Sequence, residues 1–572
     1  MLGCKQLWLT PFLNEKLKST HKMTNKMNSF VKFNTLSAGA NGARTENGAV
    51  SYATIGNALL DQFGKAASFR GRDIETVWSE QSQLWAENPE TALKFPFYLR
   101  MITRQSNILG GNKTEKVQRG AGARDEAFKR LLWIAKYHSD EFYRNLWLLP
   151  VVGSWKDLWV LLSFDGAEEY LNEQKFFEVL AEGINDANHR DLVKKFMPRI
   201  RSEKKCTTPW AKRTNTLAKR FANAAGWTYK DYREFKATGK AHEFQTIICK
   251  GLYNDINWKA IPGKALLNLV SGNFLKMHGL TDEYIKWLKT QPVAKFNGYA
   301  FELGRKIRSY KYGGPDAATK ITIDKQFDGL IANASKDGGA IQGNVLCALD
   351  TSASMTWTTL DESGTQPYDV CLALGIYFSE LNKGAFHNVV AEFSSTSRLM
   401  TLSGSFTDKW NQLQTKCNGG GSTNFQSLVD LLVDTRKKNP SMPLEDFPQT
   451  LLVVSDMQFN PTQRCWWDDK PFKDEKSNYE AAMAKLRAVF PQEFVDNFKI
   501  VWWYCTNRST SDFPSTMEDA GTYMFSGFDG AVISFLLGGE GIAVKSNDSK
   551  AMPTMEDIIK TAFEQEVLAL VS

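Results

Sequence analysis

The sequence predicts a multidomain chain: an all-α N-terminal array of helices followed by an α/β part with a doubly wound, mainly parallel sheet. Its 572 residues are too many for a single hydrophobic core. Between about residues 51 and 310, apolar residues recur every three or four positions, which is the period of amphipathic helices. Beyond residue 340, short continuous apolar runs alternate with helical patterns, as expected for a parallel sheet covered on both faces.

The first 340 residues divide into three predicted segments. Residues 1–50 are expected to form a mobile basic tail. Residues 51–310 hold helical segments such as ARDEAFKRLLWIAKYH, separated by breaks rich in Gly, Pro, Asn and Asp. They show no strict repeat period, so we expect an irregular stack of helix pairs, with a single irregular helical globule as the alternative. Residues 311–340, rich in Gly, Asp and Lys, are expected to be a linker.

The C-terminal segment, residues 341–572, contains five predicted strands. Their apolar runs are NVLCALD, HNVVAEFS, TLLVVSD, FKIVWWYCT and TYMFSGF, with helical patterns such as YDVCLALGIYFSELN between them. Ligands of doubly wound sheets bind beyond the carboxyl ends of the strands. Asp350 and Asp456 each end one of these apolar runs, so they are candidate ligand-binding residues.

Composition excludes several classes of protein. No run of about 18 uncharged apolar residues occurs, so no membrane-spanning helix is expected. Eight cysteines without a CxxC pair and six histidines without an HxxxH pair argue against a zinc site. Pro11 and Glu15 interrupt the N-terminal apolar patch before a signal peptide can form, so we expect a cytoplasmic protein with reduced thiols.

The loop that begins at Asp350 could belong to an aspartic protease, a phosphatase or a divalent metal site. An aspartic protease needs a second Asp-Thr/Ser-Gly loop, and the chain has none. A phosphatase loop fails because Ser352 occupies the place of the second acid. The remaining reading is a divalent metal site, since Asp-x-Ser-x-Ser supplies hard oxygen ligands and other strand ends can supply the rest.

The order and context of these residues resemble the metal-ion-dependent adhesion site (MIDAS) of a von Willebrand factor A domain, over roughly residues 340–540. The residues that carry the resemblance are Asp350, Ser352, Ser354, Thr423 and Asp456. The resemblance implies Mg²⁺ (or Mn²⁺) bound by the hydroxyls, with the aspartates acting partly through water and one position open for a partner's carboxylate. An insertion with Asp361 and Glu362 departs from the family pattern and could cover that open position.

The whole layout resembles the TROVE-type Ro ribonucleoproteins and, more closely, a related uncharacterised family. The stretches that carry this resemblance include NPETALKFPFYLRMI, GARDEAFKRLLWIAKYHSDEFYRNLWLLPVVGSWKDLW, ALGIYFSEL, STNFQSLVDLL and VVSDMQF. It implies a HEAT-like array of helix pairs closed by the A domain, with structured RNA, or RNA with single-stranded ends, on its basic surface.

Charge is distributed unevenly along the chain. Residues 341–572 hold 18 Lys and Arg against 29 Asp and Glu, a net charge of −11, so the remainder carries +18. A basic part of this kind favours contact with a polyanion. The candidate nucleic-acid-binding residues are Lys113, Lys116, Arg119, Arg124, Lys194, Lys195, Arg199, Arg201, Lys204, Lys205, Trp210, Lys212, Arg213, Lys219 and Arg220.

These observations lead to a non-enzymatic RNA-binding scaffold whose A domain binds a protein partner through its metal. Cations neutralise phosphates, and an aromatic ring such as Trp210 stacks on an unpaired base. The alternative is a protein-interaction or assembly module without nucleic acid, and a third reading is an adaptor for a separate AAA-type ATPase. No catalytic residue is expected, since no His lies near the metal loops in sequence.

Overall fold

The computed structural model describes residues 43–106, 116–238, 243–310, 313–336, 340–341, 343–416, 420–462, 476–507, 512–537 and 553–572. As the sequence predicts, helices dominate the N-terminal part, and a six-stranded α/β sheet forms the C-terminal part. One large apolar core runs through both parts, and a smaller core surrounds Trp258 and Tyr284. Within the described ranges, no helix has the length and apolar character needed to cross a membrane.

Helices and two short hairpins make up the N-terminal part. The hairpins pair β1 (Ala43–Arg44) with β2 (Val50–Ser51) and β3 (Arg104–Ser106) with β4 (Lys116–Gln118). The helices are α1 (Ala58–Lys65), α2 (Ile74–Glu87), α3 (Pro89–Arg100), α4 (Arg124–Tyr137), α5 (Ser139–Asn145), α6 (Leu149–Val152), α7 (Lys156–Leu162), α8 (Glu173–Asn185), α9 (Arg190–Phe196), α10 (Pro209–Ala224), α11 (Tyr229–Ala237), α12 (Glu243–Cys249), α13 (Gly263–Ser271), α14 (Phe274–Met277), α15 (Thr281–Thr290), α16 (Ala300–Arg308) and α17 (Ala317–Lys336).

Local sequence determines where several of these helices begin. The side chains of Asn57, Asp73 and Asn88 accept hydrogen bonds from the first turns of α1, α2 and α3. Pro89 follows the last of these caps at the first helical position, where a missing N–H costs nothing. The Thr208–Pro209 pair starts α10 in the same way.

Much of the expected linker is a packed helix. α17 covers residues 317–336, and its Ile323 and Phe327 are buried. The ring of Phe327 stacks on Phe406 of the C-terminal part, with ring centroids 4.3 Å apart. The polar composition of this stretch concealed a helix whose apolar and small residues recur at helical spacing, so the expectation of a connector is wrong here.

The C-terminal sheet has the strand order β10-β9-β8-β5-β6-β7, and every pairing except β6 with β7 is parallel. Its strands are β5 (Val345–Asp350), β6 (Val389–Phe393), β7 (Ser397–Thr401), β8 (Thr450–Ser455), β9 (Lys499–Tyr504) and β10 (Thr522–Ser526). The helices are α18 (Ser354–Trp357), α19 (Pro367–Leu381), α20 (Phe406–Lys416), α21 (Phe425–Lys438), α22 (Asn478–Arg487), α23 (Gln492–Asp496), α24 (Ser534–Leu537) and α25 (Met555–Phe563). β5 and β8 are buried along their whole length, as expected of a sheet covered on both faces.

The two parts hold each other through polar contacts. Arg308 of α16 donates from Nε to a carboxylate oxygen of Asp369 in α19 at 2.7 Å. Ser68 donates to the carbonyl of Tyr504 at the end of β9 at 2.5 Å.

Within the expected mobile tail, residues 43–50 are part of the first hairpin, and Thr45 donates to the carbonyl of Phe459 at 2.7 Å. These described residues therefore belong to the folded body, and the expectation of a tail is wrong for them.

Candidate functional site

Three loops meet at the carboxyl edge of the sheet, where β5 and β8 end. The first loop follows β5 (residues 350–354), the second precedes α21 (residues 420–424), and the third follows β8 (residues 456–460). The register opposes Leu349 with Val454, so the strand ends lie side by side. The buried carboxylate of Asp350 accepts from the backbone N–H of Ser352 at 2.9 Å and from the hydroxyl of Ser455 at 2.5 Å. That hydroxyl also accepts from the N–H of Met457 at 2.9 Å. Ser455 thereby joins the two strand ends.

The first and second loops are joined through backbone contacts. The N–H of Ala353 donates to the carbonyl of Gly420 at 3.0 Å, and Ser352 pairs with Gly420 as an isolated bridge. The hydroxyl oxygens of Ser352 and Ser354 lie 3.0 Å apart. Ser352 is buried and Ser354 is half-buried, so this hydroxyl pair extends from the interior towards solvent.

The second loop is also tied to the third. The N–H of Asn460 donates to the carbonyl of Thr423 at 2.9 Å, and the N–H of Thr423 donates to the side-chain oxygen of Asn460 at 3.2 Å. Asp456 is buried, and one of its carboxylate oxygens accepts from the N–H of Gln458 at 3.2 Å. Met457, between them, adopts a left-handed φ of 63°, which is a strained backbone conformation for a residue other than glycine.

Two neighbouring acids give this edge unusual electrostatics. Burial and the nearby carboxylate of Asp456 raise the pKa of Asp350 well above its usual range, although the hydrogen bonds from Ser455 and Ser352 act in the opposite direction. Burial and the same two acids also raise the pKa of the Cys505 thiol. A cation between the acids would offset their repulsion, so the electrostatics fit a metal ion.

The predicted metal-binding residues offer hard oxygen donors. Two carboxylates and the hydroxyls of Ser352, Ser354 and Thr423 are the ligand types that Mg²⁺ and Mn²⁺ prefer. In the part of the chain that the structure describes, no three His, Cys, Asp or Glu side chains gather at one point. An ion held here would therefore depend on the hydroxyl oxygens as well as on Asp350 and Asp456.

In the insertion after the first loop, the carboxylate of Asp361 is bound by neighbouring residues. Asp361 accepts from the N–H of Ser363 at 2.9 Å and from the Thr365 hydroxyl at 2.7 Å, and it lies 3.6 Å from Arg305. These contacts hold the Asp361 carboxylate within its own turn and beside Arg305 of α16. Glu362 is exposed.

The N-terminal hairpin and Ser455 are the contributors to this edge that the sequence did not reveal. The side chain of Gln458 accepts from the N–H of Glu46 at 2.6 Å and donates to Asp512 at 3.0 Å. The loop after Asp456 is therefore held by a segment more than 400 positions away in sequence. The Ser-Asp pair at the end of β8 was the available signal for Ser455.

The predicted nucleic-acid-binding residues of the 110–124 loop fall into different settings. Lys113 lies outside the described residues, and Lys116 is the first residue of β4. Arg119 is buried, and its backbone exchanges hydrogen bonds with the side chain of Gln565 at 2.8 and 2.9 Å. Arg119 is therefore not a surface residue. Arg124 is exposed and lies close enough to Lys156 to lower the pKa of that amine, whose partial desolvation is the larger cause.

The basic stretch 194–220 divides into paired and unpaired cations. The paired residues are Arg213 with Asp165 at 2.7 Å, Lys219 with Glu203 at 3.3 Å, and Arg220 with Glu173 at 3.1 Å. Lys194 is buried and donates to Thr238 at 3.1 Å. The residues that are exposed and have no carboxylate within 4 Å in the described part are Lys195, Arg199, Arg201, Lys204, Lys205 and Lys212.

A pocket of about 300 Å³ opens beside these unpaired cations. It lies between α7, the segment after α9 and the first turns of α10. Its lining includes Lys156, Trp159, Phe196, Arg199, Arg201 and Trp210. The sequence predicted three of these residues, whereas Lys156 and Trp159 reach the same place only through the fold.

Two comparisons with known proteins extend this description. A family model described as a domain of unknown function (DUF7788) matches residues 344–569. An uncharacterized protein of Acanthamoeba polyphaga mimivirus is 23% identical over 537 residues, which cover 88% of this chain and 85% of that protein. The second similarity runs through both the helical part and the sheet part.

Proposed function

We propose that this protein is a non-enzymatic, Ro-like RNA-binding scaffold of the cytoplasm. Its helical part would be a HEAT-like array that carries RNA. Its C-terminal part would be a von Willebrand A-like domain that binds a protein partner through Mg²⁺. The observation that carries RNA binding is the exposed Trp210 in one pocket with Arg199 and Arg201, neither of which forms an ion pair with a described carboxylate.

The surface chemistry supports a single-stranded polyanion. Unpaired Lys and Arg side chains keep their full attraction for phosphate, whereas an ion-paired cation must first lose its partner. An exposed indole adds a stacking plane for an unpaired base. A purely solvated basic helix needs neither the indole nor the concave surface beside it.

Binding of single-stranded RNA measured against salt tests this function. Affinity should fall steeply between about 50 and 200 mM salt, because each phosphate contact to a single strand contributes a slope of about −0.7 in log K against log salt. Charge reversal of three unpaired cations by Lys204→Glu, Lys205→Glu and Lys212→Glu should weaken binding and flatten the slope. A matched triple variant, Lys259→Glu, Lys286→Glu and Lys289→Glu, alters exposed lysines outside this surface and controls for net charge.

The two triple variants make the outcome decisive. Equal losses of RNA affinity in both triple variants would mean that net charge alone attracts RNA. Unchanged affinity in the Lys204, Lys205 and Lys212 variant would show that these lysines do not contact RNA. A wild-type protein that binds no RNA at any salt concentration would end the proposal.

A protein-interaction module without nucleic acid is the second candidate. The joined loops at Asp350, Thr423 and Asp456 favour it, because an oxygen-ligated cation with an open position can bind an acidic side chain. Purification separates the candidates: an RNA-binding protein should retain nucleic acid with strong absorbance at 260 nm, and an interaction module should not.

A further inference from the structure

The pocket beside Trp210 has the size of a site for one small ligand. Its volume of about 300 Å³ lies at the lower end of the range for ligand pockets. Walls come from three elements: Lys156 and Trp159 from α7, Phe196 and Arg199 from the end of α9 and the segment after it, and Trp210 from α10. A duplex cannot enter such a space, whereas a single unpaired unit can.

The aromatic wall is available to a ligand. Trp210 is 41% exposed although it is one of the largest apolar side chains, and the cap at Thr208 holds it in the first turn of α10. Trp159, by contrast, is buried, and in the described part of the chain its indole N–H has no acceptor. Because that N–H is itself inaccessible, Trp159 contributes only an apolar wall, and Trp210 is the ring that a ligand can reach.

The cations of the pocket make no ion pair with a described carboxylate, although the charge of Asp157 partly offsets the lowering of the Lys156 pKa. Lys156, Arg199 and Arg201 have no carboxylate within 4 Å in the described ranges, although Arg213 on the same helix as Trp210 has one. Other cations add to the positive potential: Arg124 lies near Lys156, and Arg199 lies near Lys236, whose pKa burial and that arginine lower to about 8. Such a gathering of like charges is unfavourable unless an anion joins it.

Hydrogen bonds hold the walls in place before any ligand arrives. The N–H of Arg201 donates to the side chain of Asn215 at 2.8 Å, and the hydroxyl of Tyr232 donates to the carbonyl of Pro198 at 2.8 Å. α7 begins at a buried ion pair in which Arg100 donates from Nε to Asp157 at 2.9 Å. A pre-ordered site loses less entropy on binding than a flexible basic surface does.

We propose that this pocket holds one unpaired nucleotide of a single-stranded RNA, with the base stacked on Trp210 and the phosphate bound by Lys156, Arg199 and Arg201. This inference rests on the proposed RNA binding and adds the place and the unit of recognition. An acidic peptide would satisfy the cations and leave the exposed indole without a role. A nucleotide uses both, because every base offers an aromatic face and every linkage a phosphate.

Direct binding of a labelled single-stranded oligouridine, beside a blunt RNA duplex of the same length, tests the site. Trp210→Ala should weaken binding of the single strand roughly tenfold, because stacking is lost. Trp210→Phe should recover part of that loss, because a smaller ring still stacks. Arg199→Gln with Arg201→Gln should lower the salt slope by about 0.7 for each phosphate that the variant no longer neutralises. Duplex binding should change little in all three variants.

Matched variants keep the test falsifiable. Trp147 is 42% exposed and lies outside the pocket, so Trp147→Ala controls for loss of a surface indole. Lys259→Gln with Lys286→Gln controls for loss of two exposed cations. Circular dichroism and the melting temperature of each variant show whether it is folded.

The outcomes separate the two levels of the proposal. A loss confined to the pocket variants and to the single strand supports the nucleotide site. RNA binding that the pocket variants and the controls weaken equally overturns the site and leaves the scaffold function standing. If polyaspartate displaces the labelled oligouridine as effectively as unlabelled oligouridine does, the site binds an acidic peptide and the nucleotide proposal is overturned. Absence of any RNA binding by the wild type ends both inferences.

Discussion

The ammonium group of Lys65 lies 4.0 Å from the ring centroid of Phe513, inside the contact between α1 and the sheet. The ring of Tyr504 is 5.1 Å away, and within the described residues the amine has no hydrogen-bond partner. Burial lowers the pKa of Lys65 to about 7, and the acids Asp512 and Asp61 only partly offset that effect. A buried amine against two aromatic rings therefore joins the helical part to the sheet.

Lys65 makes stability depend on pH. Its folded-state pKa of about 7 lies below the ordinary value of 10.5, so between these pH values the unfolded chain binds more protons and stability rises with pH. The expected slope from this group reaches about 1.4 kcal/mol per pH unit. Lys65→Met should raise stability at pH 7 and remove this slope, as urea unfolding across that range would measure. An unchanged slope, or the same change in the exposed control Lys259→Met, would contradict this account.

Magnesium should raise the melting temperature of the wild-type protein. A ligand that binds only the folded state stabilises it by about 2.7 kcal/mol at 100 times its Kd, which raises the melting temperature by about 2 °C for a chain of this size. Asp350→Asn should raise stability without metal, since it removes a buried charge beside Asp456, and should abolish the response to magnesium. Asp361→Asn should retain the response because that acid is bound to its own turn. An equal shift in Asp350→Asn would locate the magnesium elsewhere.

Removing one partner of the buried pair of Arg100 and Asp157 should destabilise the protein strongly, whereas replacing both with apolar side chains should not. Asp157→Ala leaves a buried guanidinium unpaired and should cost about 3–5 kcal/mol. The double replacement Arg100→Met with Asp157→Leu should recover most of that loss, since apolar side chains of similar volume need no partner. Chemical denaturation of Arg100→Met, Asp157→Leu and the double variant completes a double-mutant cycle that measures the coupling between the two side chains. Additive effects of the two single changes would show that the pair is not coupled.

Gly304 should tolerate no added side chain. A Cβ at this position in α16 would lie 2.1 Å from the ring of Trp410, which is fully buried. Alanine gains about 1 kcal/mol of helix propensity over glycine, whereas forced overpacking costs about 1–3 kcal/mol. Gly304→Ala should therefore destabilise the protein, and Trp410→Phe in the same chain should relieve part of the clash. A Gly304→Ala variant as stable as the wild type would show that the tryptophan shifts freely.

The elements that sequence predicted best are those whose burial leaves a clear pattern. β5, β8 and β9 are apolar runs buried almost throughout, and α19 agrees with the predicted helix to within one residue at each end. β7 was missed because an edge strand with one buried residue, Met400, shows no apolar run. α17 was missed because its buried threonines and glutamine look polar in sequence.

The candidate sites show the same division. The positions of Asp350 and Asp456 at the ends of apolar runs were enough to predict that they lie near each other, because parallel strands end at a common edge. Sequence could not separate the cations of the 194–220 stretch, since the acids that pair with Arg213 and Arg220 are Asp165 and Glu173, far away along the chain. Pairing of this kind depends on which helices are neighbours, and composition does not encode that.

The last residues of the sequence return to the first helices. Phe563 of α25 lies against Phe95 and Tyr98, and the backbone of Ser572 exchanges hydrogen bonds with Asn145 at 2.7 and 3.0 Å. During synthesis, α3 therefore leaves the ribosome long before the helix that covers its aromatic face. For most of translation that face must stay exposed or be covered by other residues of the chain, and apolar surface exposed in this way favours aggregation.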